Sequence, residues 1–187
     1  MIVTDRFVFV HVPKTGGQSV SRTLGGEKRI VDMHRPLFMA GKGNRFAFGF
    51  VRNPWDRMVS LYSFMCQKSV RPERADYQRE MRDNGFKWWL MEDRYFMDQD
   101  KLWPDCEPMQ RRPQLWWLDG CDRIGRFESL SDDLASIRAF LGLKAVSAPH
   151  INESRHEAYT AYYDAESEAF VAKHFAPDIE RFNYTFN

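Results

Sequence analysis

The feature that most constrains this chain is residues 7–20, Phe7-Val8-Phe9-Val10-His11-Val12-Pro13-Lys14-Thr15-Gly16-Gly17-Gln18-Ser19-Val20. Alternating aromatic and β-branched residues predict a strand, a proline and two glycines a tight loop, and the amphipathic pattern that follows a helix from about Gln18 to Leu24. A strand that feeds directly into a helix implies a parallel sheet, because parallel neighbours need a crossover connection. The first N–H groups of such a helix lack internal partners and lie at the positive end of its dipole, so the loop suits an anion. Gly16 and Gly17 let the backbone approach an oxyanion closely, Thr15 and Ser19 offer hydroxyls, and Lys14 adds a mobile positive charge. The lysine precedes the glycines, which does not match the nucleotide-triphosphatase order G-x-x-x-x-G-K-[ST].

A second stretch repeats the theme. Phe46 to Val51 reads as a buried strand and runs into Arg52-Asn53-Pro54-Trp55-Asp56-Arg57-Met58-Val59-Ser60-Leu61-Tyr62. Asn53 is a good N-cap and Pro54 suits a first helical turn, so Arg52 lies at a strand end beside a helix start. Further strands are expected at Arg29–Asp32 and Asp122–Phe127. Helices are expected at Trp55 to about Lys68, at Ser131–Leu141 with Ser131 as cap, and at Ala165–Phe175, ended by Pro177. Residues from about 66 to 118 are rich in arginine and aromatics and read as a variable insertion of helices and loop.

Together, HVPKTGGQS and VRNPWDRMVSLY resemble the two cofactor motifs of sulfotransferases, especially the carbohydrate type that includes the heparan and chondroitin enzymes. Arg123 to Leu130, Phe140-Leu141-Gly142 and His150 to Ser154 look like the family's later elements. The resemblance implies an α/β, P-loop-like three-layer fold, with a short central parallel sheet flanked by helices, over a single domain of residues 1–187. It implies 3′-phosphoadenosine 5′-phosphosulfate, PAPS, as sulfuryl donor. By resemblance Lys14, Thr15, Gly16, Gly17 and Ser19 hold its 5′-phosphosulfate, while Arg52 and Ser60 hold the 3′-phosphate. Gln18 stands where the family usually has a small hydroxyl residue and adds its backbone to the cradle. Arg155 matches the family's late basic loop, with a solvated arginine as the alternative.

Sulfuryl transfer to an alcohol needs charge stabilisation on the leaving phosphate and a base for the alcohol proton. Lys14 is the candidate for the first role. His34 is the candidate for the second: it follows a strand, and the heparan 2-O-type relatives have a catalytic histidine in the comparable segment. A loop histidine bonded to backbone is the ordinary alternative. His11 is expected to order the loop. Of Trp88-Trp89 and Trp116-Trp117, at least one of each pair is expected in the core.

Lysine plus arginine total 27 against 26 acidic residues, so bulk charge makes no case for nucleic acid. The acceptor is expected to be a hydroxyl of a carbohydrate or carbohydrate-bearing molecule, with an anionic glycan favoured if the arginines of the insertion recognise it. Cys66, Cys106 and Cys121 lack zinc or disulfide spacing and read as free thiols in a reducing cytosol. No stretch has the length of a membrane span, and a cytoplasmic enzyme without a metal is expected. Oligomeric state has no sequence signal. The rivals are a small-molecule kinase using magnesium and ATP, with Asp32 as its nearest metal ligand, and a module that binds adenosine 3′,5′-bisphosphate without turnover.

Overall fold

A computed structural model describes residues 1–24, 29–30, 34–67, 75–91, 112–144 and 157–187. The chain packs as two compact units, one of Met1–Arg52 with Gln114–Glu153 and one of Asn53–Pro113 with Ser154–Asn187.

The first unit is built on a five-stranded sheet: β1 (Ile2–Val3), β2 (Phe7–Val10), β3 (Arg29–Ile30), β4 (Phe46–Val51) and β5 (Arg123–Arg126). Their order across the sheet is β3-β1-β2-β4-β5. β2, β4 and β5 are parallel, with Phe9 opposite Phe48 and Phe50 opposite Gly125. β1 is antiparallel to both β2 and β3 and was not expected from the sequence, whereas the edge strand β3 falls within the expected Arg29–Asp32. Two residues are too few for a periodicity signal, and β1 exists because a turn lets it pair with β2; the Thr4 hydroxyl holds that turn by donating to the Phe7 carbonyl at 3.1 Å.

Register explains the layers. Phe7, Phe9, Phe48 and Phe50 share one face and are buried with Val20 and Leu24 from α1 (Gly17–Thr23) and its end. Leu134, Ile137 and Leu141 join them on the same face, from a later helix, Leu130–Phe140, and its cap. The opposite face carries Val8, Val10, Ala47, Gly49 and Val51, smaller side chains that admit another helix closely. A Cβ on Gly49 would lie 2.3 Å from Leu118 Cδ2, in the helix Gln114–Leu118. In chain order these helices are α1, α2 (Leu37–Ala40), α5 (Gln114–Leu118) and α6 (Leu130–Phe140). This is the expected three-layer arrangement. The cap of α6 is Ser129 rather than Ser131. Its hydroxyl donates to Asp133 at 2.8 Å, and the same carboxylate accepts from the Arg126 N–H at 2.7 Å, tying strand to helix.

The second unit holds α3 (Pro54–Gln67), α4 (Ala75–Met91), a 3₁₀ turn (Tyr159–Tyr162), α7 (Ala165–His174) and α8 (Ala176–Phe182). Asn53 caps α3 as expected, its side chain accepting from the Trp55 N–H at 3.1 Å. Tyr62, Phe86 and Trp89 form an aromatic core, with ring centroids 5.4–5.9 Å apart. Lys87 reaches Asp164 at 2.7 Å and Glu166 at 2.6 Å, and Asp164 also closes a capping box with Ser167 at the start of α7. Pro177 does not end α7; it sits in the first turn of α8, where its missing N–H costs nothing.

The stretch expected as an insertion is of two kinds. α4 lies in the helical unit, whereas α5 packs on the sheet with Trp117 and Leu118 fully buried. Trp89 and Trp117 are core, while Trp88 and Trp116 are only half-buried. Cys66 and Cys121 carry free thiols, and burial pushes the Cys121 thiol up to about 12. Among the described residues no helix is long and apolar enough to cross a membrane. Cys106, Asp32 and Arg155 lie outside the described residues.

Candidate active site

β2 and β4 are parallel neighbours, so the segments that follow Val10 and Val51 emerge at one edge of the sheet. That edge carries His11 to Ser19 and Arg52. α/β sheets bind ligands at the carboxyl ends of their strands for this reason. β3 runs in the same direction, being antiparallel to β1, and the chain beyond it delivers His34 to the same edge.

The loop is held in an uncommon backbone conformation. Lys14 has φ 67° and Gly16 φ 76°, both in the left-handed region, which glycine tolerates and lysine seldom adopts. Two contacts support the lysine. The Arg52 Nη1 donates to the Lys14 carbonyl at 3.3 Å, and the Thr15 hydroxyl donates to the Val12 carbonyl at 3.0 Å. The Thr15 proton is thus committed within the loop, leaving its backbone N–H for a ligand. Gly16 is the N-cap of α1 and has no side chain to cap it. Gly17 is required by close approach: a Cβ there would lie 1.9 Å from the Cδ2 of His11.

His11 is buried, and its ring lies against Gly17. Burial first, and then neighbouring positive charges including His34 and Lys14, hold its pKa down at about 3. It is therefore a neutral packing group at ordinary pH, in line with its expected role in ordering the loop. Its carbonyl lies 3.1 Å from the Nδ1 of His34, and the two rings are 4.8 Å apart. A carbonyl only accepts, so in the neutral ring the His34 Nδ1 carries the proton and Nε2 carries the lone pair. The backbone bond expected of an ordinary loop histidine thus sets the tautomer that a base requires.

Lys14 has a pKa lowered to about 8, through burial first and then the Arg52 charge. Arg52 is itself buried, with its guanidinium 4.1 Å over the Phe127 ring. Gln114 clamps the arginine's backbone from both sides. Its Oε1 accepts from the Arg52 N–H and its Nε2 donates to the Arg52 carbonyl, each at 2.9 Å. Gln114→Leu leaves both buried backbone groups without these partners, and its expected cost is about 2–4 kcal/mol in urea unfolding. A loss well under 1 kcal/mol would mean that water replaces the amide.

The structure therefore brings together Lys14, Thr15, Gly16, Gly17, Gln18, Ser19, Arg52 and His34. Ser60 is buried on α3, in the helical unit. Gln114 and Phe127 were missed by the sequence reading. Phe127 directly follows a parallel strand, a position that already pointed to this edge; Gln114 is 62 residues from Arg52 and had no signal.

Two cations held this close, one of them half-deprotonated near pH 8, form a donor set suited to a polyanion. The His34 imidazole stands at the same edge. This combination can bind phosphate-type groups, neutralise charge on a departing oxygen and accept a proton from a hydroxyl. A family model described as "Sulfotransferase family" matches residues 1–185. No curated protein and no solved structure matches the chain.

Proposed function

The chain belongs to the sulfotransferase family, and on that premise we propose that it moves a sulfuryl group from PAPS to a hydroxyl of a carbohydrate or carbohydrate-bearing acceptor. The observation that carries this reading is the pairing of Lys14 with Arg52, in which the second motif's arginine braces the first motif's loop. PAPS fits this donor set because it brings phosphates to both cations, and when bound it supplies an activated sulfuryl group.

The chain's own residues then divide the work. The backbone from Thr15 to Ser19 and the Lys14 ammonium hold the 5′-phosphosulfate. Arg52 holds the 3′-phosphate, with Ser60 and Arg155 as further proposed contacts. His34 Nε2 takes the hydroxyl proton as the acceptor oxygen bonds to sulfur. Lys14 neutralises the phosphate oxygen that keeps the electron pair of the broken S–O bond. The reading includes one functional domain, a cytosolic location and no metal in the transfer step.

Calorimetric titration with adenosine 3′,5′-bisphosphate, and separately with ATP and magnesium, tests the donor. Tight binding of the bisphosphate is expected, weakened about tenfold or more in Arg52→Ala by loss of a charge-assisted contact. A preference for magnesium-ATP moves the assignment to the kinase. Bisphosphate binding with no transfer to any acceptor favours the sensing module.

A further inference from the structure

Phe127 is the first residue after β5, and its backbone is pinned on both sides. Its N–H donates at 2.7 Å to the carbonyl of Val51, the residue before Arg52, and its carbonyl accepts at 3.2 Å from the N–H of Leu130, the first residue of α6. From there the ring touches two parts of the anion-binding edge. The Arg52 guanidinium carbon lies 4.1 Å from its centroid. A Cβ on Gly16, the N-cap of α1, would come 3.1 Å from the Phe127 Cδ2 and 2.9 Å from the Leu130 Cδ2.

The core does not account for this placement. Phe7, Phe9, Phe48 and Phe50 fill the apolar cluster of the sheet, whereas Phe127 is half-buried and not one of them. Arg52 is buried, and a long side chain that must meet a ligand binds more tightly when its rotamer is set beforehand. A ring face holds a cation through its quadrupole and takes up no hydrogen-bond donor in doing so. The Nη1 bond to the Lys14 carbonyl fixes one end of the guanidinium, and the ring supports it from one side.

We propose that Phe127 is a positioning residue for the donor, its ring holding the Arg52 guanidinium ready for the 3′-phosphate. It acts through the arginine, and its contact with the Gly16 turn keeps the ring in place. The inference rests on the sulfuryl-transfer reading above, in which Arg52 takes that phosphate.

The test compares adenosine 3′,5′-bisphosphate with adenosine 5′-phosphate by calorimetric titration of wild type, Phe127→Leu, Phe127→Tyr, Arg52→Ala and the Phe127→Leu, Arg52→Ala double variant. Leucine keeps apolar bulk against Gly16 and Leu130 but has no π face; Phe127→Met serves the same comparison should the leucine variant not fold. Phe127→Leu should weaken the bisphosphate about fivefold or more and leave the monophosphate within about twofold of wild type. Phe127→Tyr should bind both as wild type does. In the Arg52→Ala background, Phe127→Leu should cost nothing further. Equal losses on the two ligands would put the ring on the nucleoside or on loop packing and overturn the proposal. Unchanged bisphosphate affinity overturns it too, as does a loss that persists in full without Arg52. Wild type that binds the bisphosphate no tighter than the monophosphate overturns the donor reading itself, and the proposal with it.

Discussion

Lys14→Ala is expected to lower kcat by about 10²–10³-fold, the usual effect of deleting one group that stabilises developing charge. The ammonium acts on charge that builds only as the S–O bond breaks, so the loss should fall on kcat more than on donor affinity. Arg52→Ala should show the reverse weighting. Lys14→Arg is no conservative control, because a planar guanidinium cannot occupy the volume of a compact ammonium.

The pH dependence has an unusual pair of signs. The Lys14 pKa falls from 10.5 to about 8 on folding, so above pH 8 the native chain gives up a proton that the unfolded chain retains. Activity that needs the ammonium should decline through this region. The lysine's contribution to stability should rise from about pH 8 to 10.5 and be complete above it, since the unfolded state binds more protons in that window. Lys14→Met should remove both trends, and comparing it with wild type in urea unfolding and in kcat/KM isolates this lysine from other groups. Bound bisphosphate should move the midpoint upward, because an anion favours the charged form. Unchanged turnover in Lys14→Ala would remove the lysine from the mechanism.

His34→Asn is expected to cost about 10²–10⁴-fold in kcat, the range of a general base. Asparagine can place its amide nitrogen near the former Nδ1, keeping the bond to the His11 carbonyl while deleting Nε2. Loop geometry and bisphosphate affinity should therefore survive. A neutral imidazole is the base, so wild-type kcat/KM should fall on acidification, and the variant should lose that fall. Full turnover in His34→Asn, or an unaltered acid limb, would leave the histidine a structural role only.

Much of the fold was legible because its elements are local patterns. Phe46–Val51 appears as a strand with the bounds expected, and the helices after Gly16 and Asn53 start within one residue of their signals. Turn chemistry misled where two candidates were close. The N-cap of α6 is Ser129 rather than Ser131, although its side chain makes no capping bond; its hydroxyl donates to the Asp133 carboxylate, which also accepts from the Arg126 N–H. Pro177 reads as a stop, but the chain turns at Phe175 and uses the proline in a new first turn.

For the site, residue types and their order determined which groups could bind an anion: Lys14, the two glycines and Arg52 announce that chemistry through loop, helix start and charge. Only tertiary structure decided how they are poised. Arg52 braces Lys14 because parallel pairing of β2 with β4 sets two loops side by side. Gln114 clamps the arginine from 62 residues away, and His11 selects the tautomer of His34 across a gap of 23. Burial lowers the Lys14 proton affinity, a property that no linear spacing encodes. Local sequence writes propensity and charge; dielectric, tautomer and the meeting of distant groups arise only when strands pair and water is excluded.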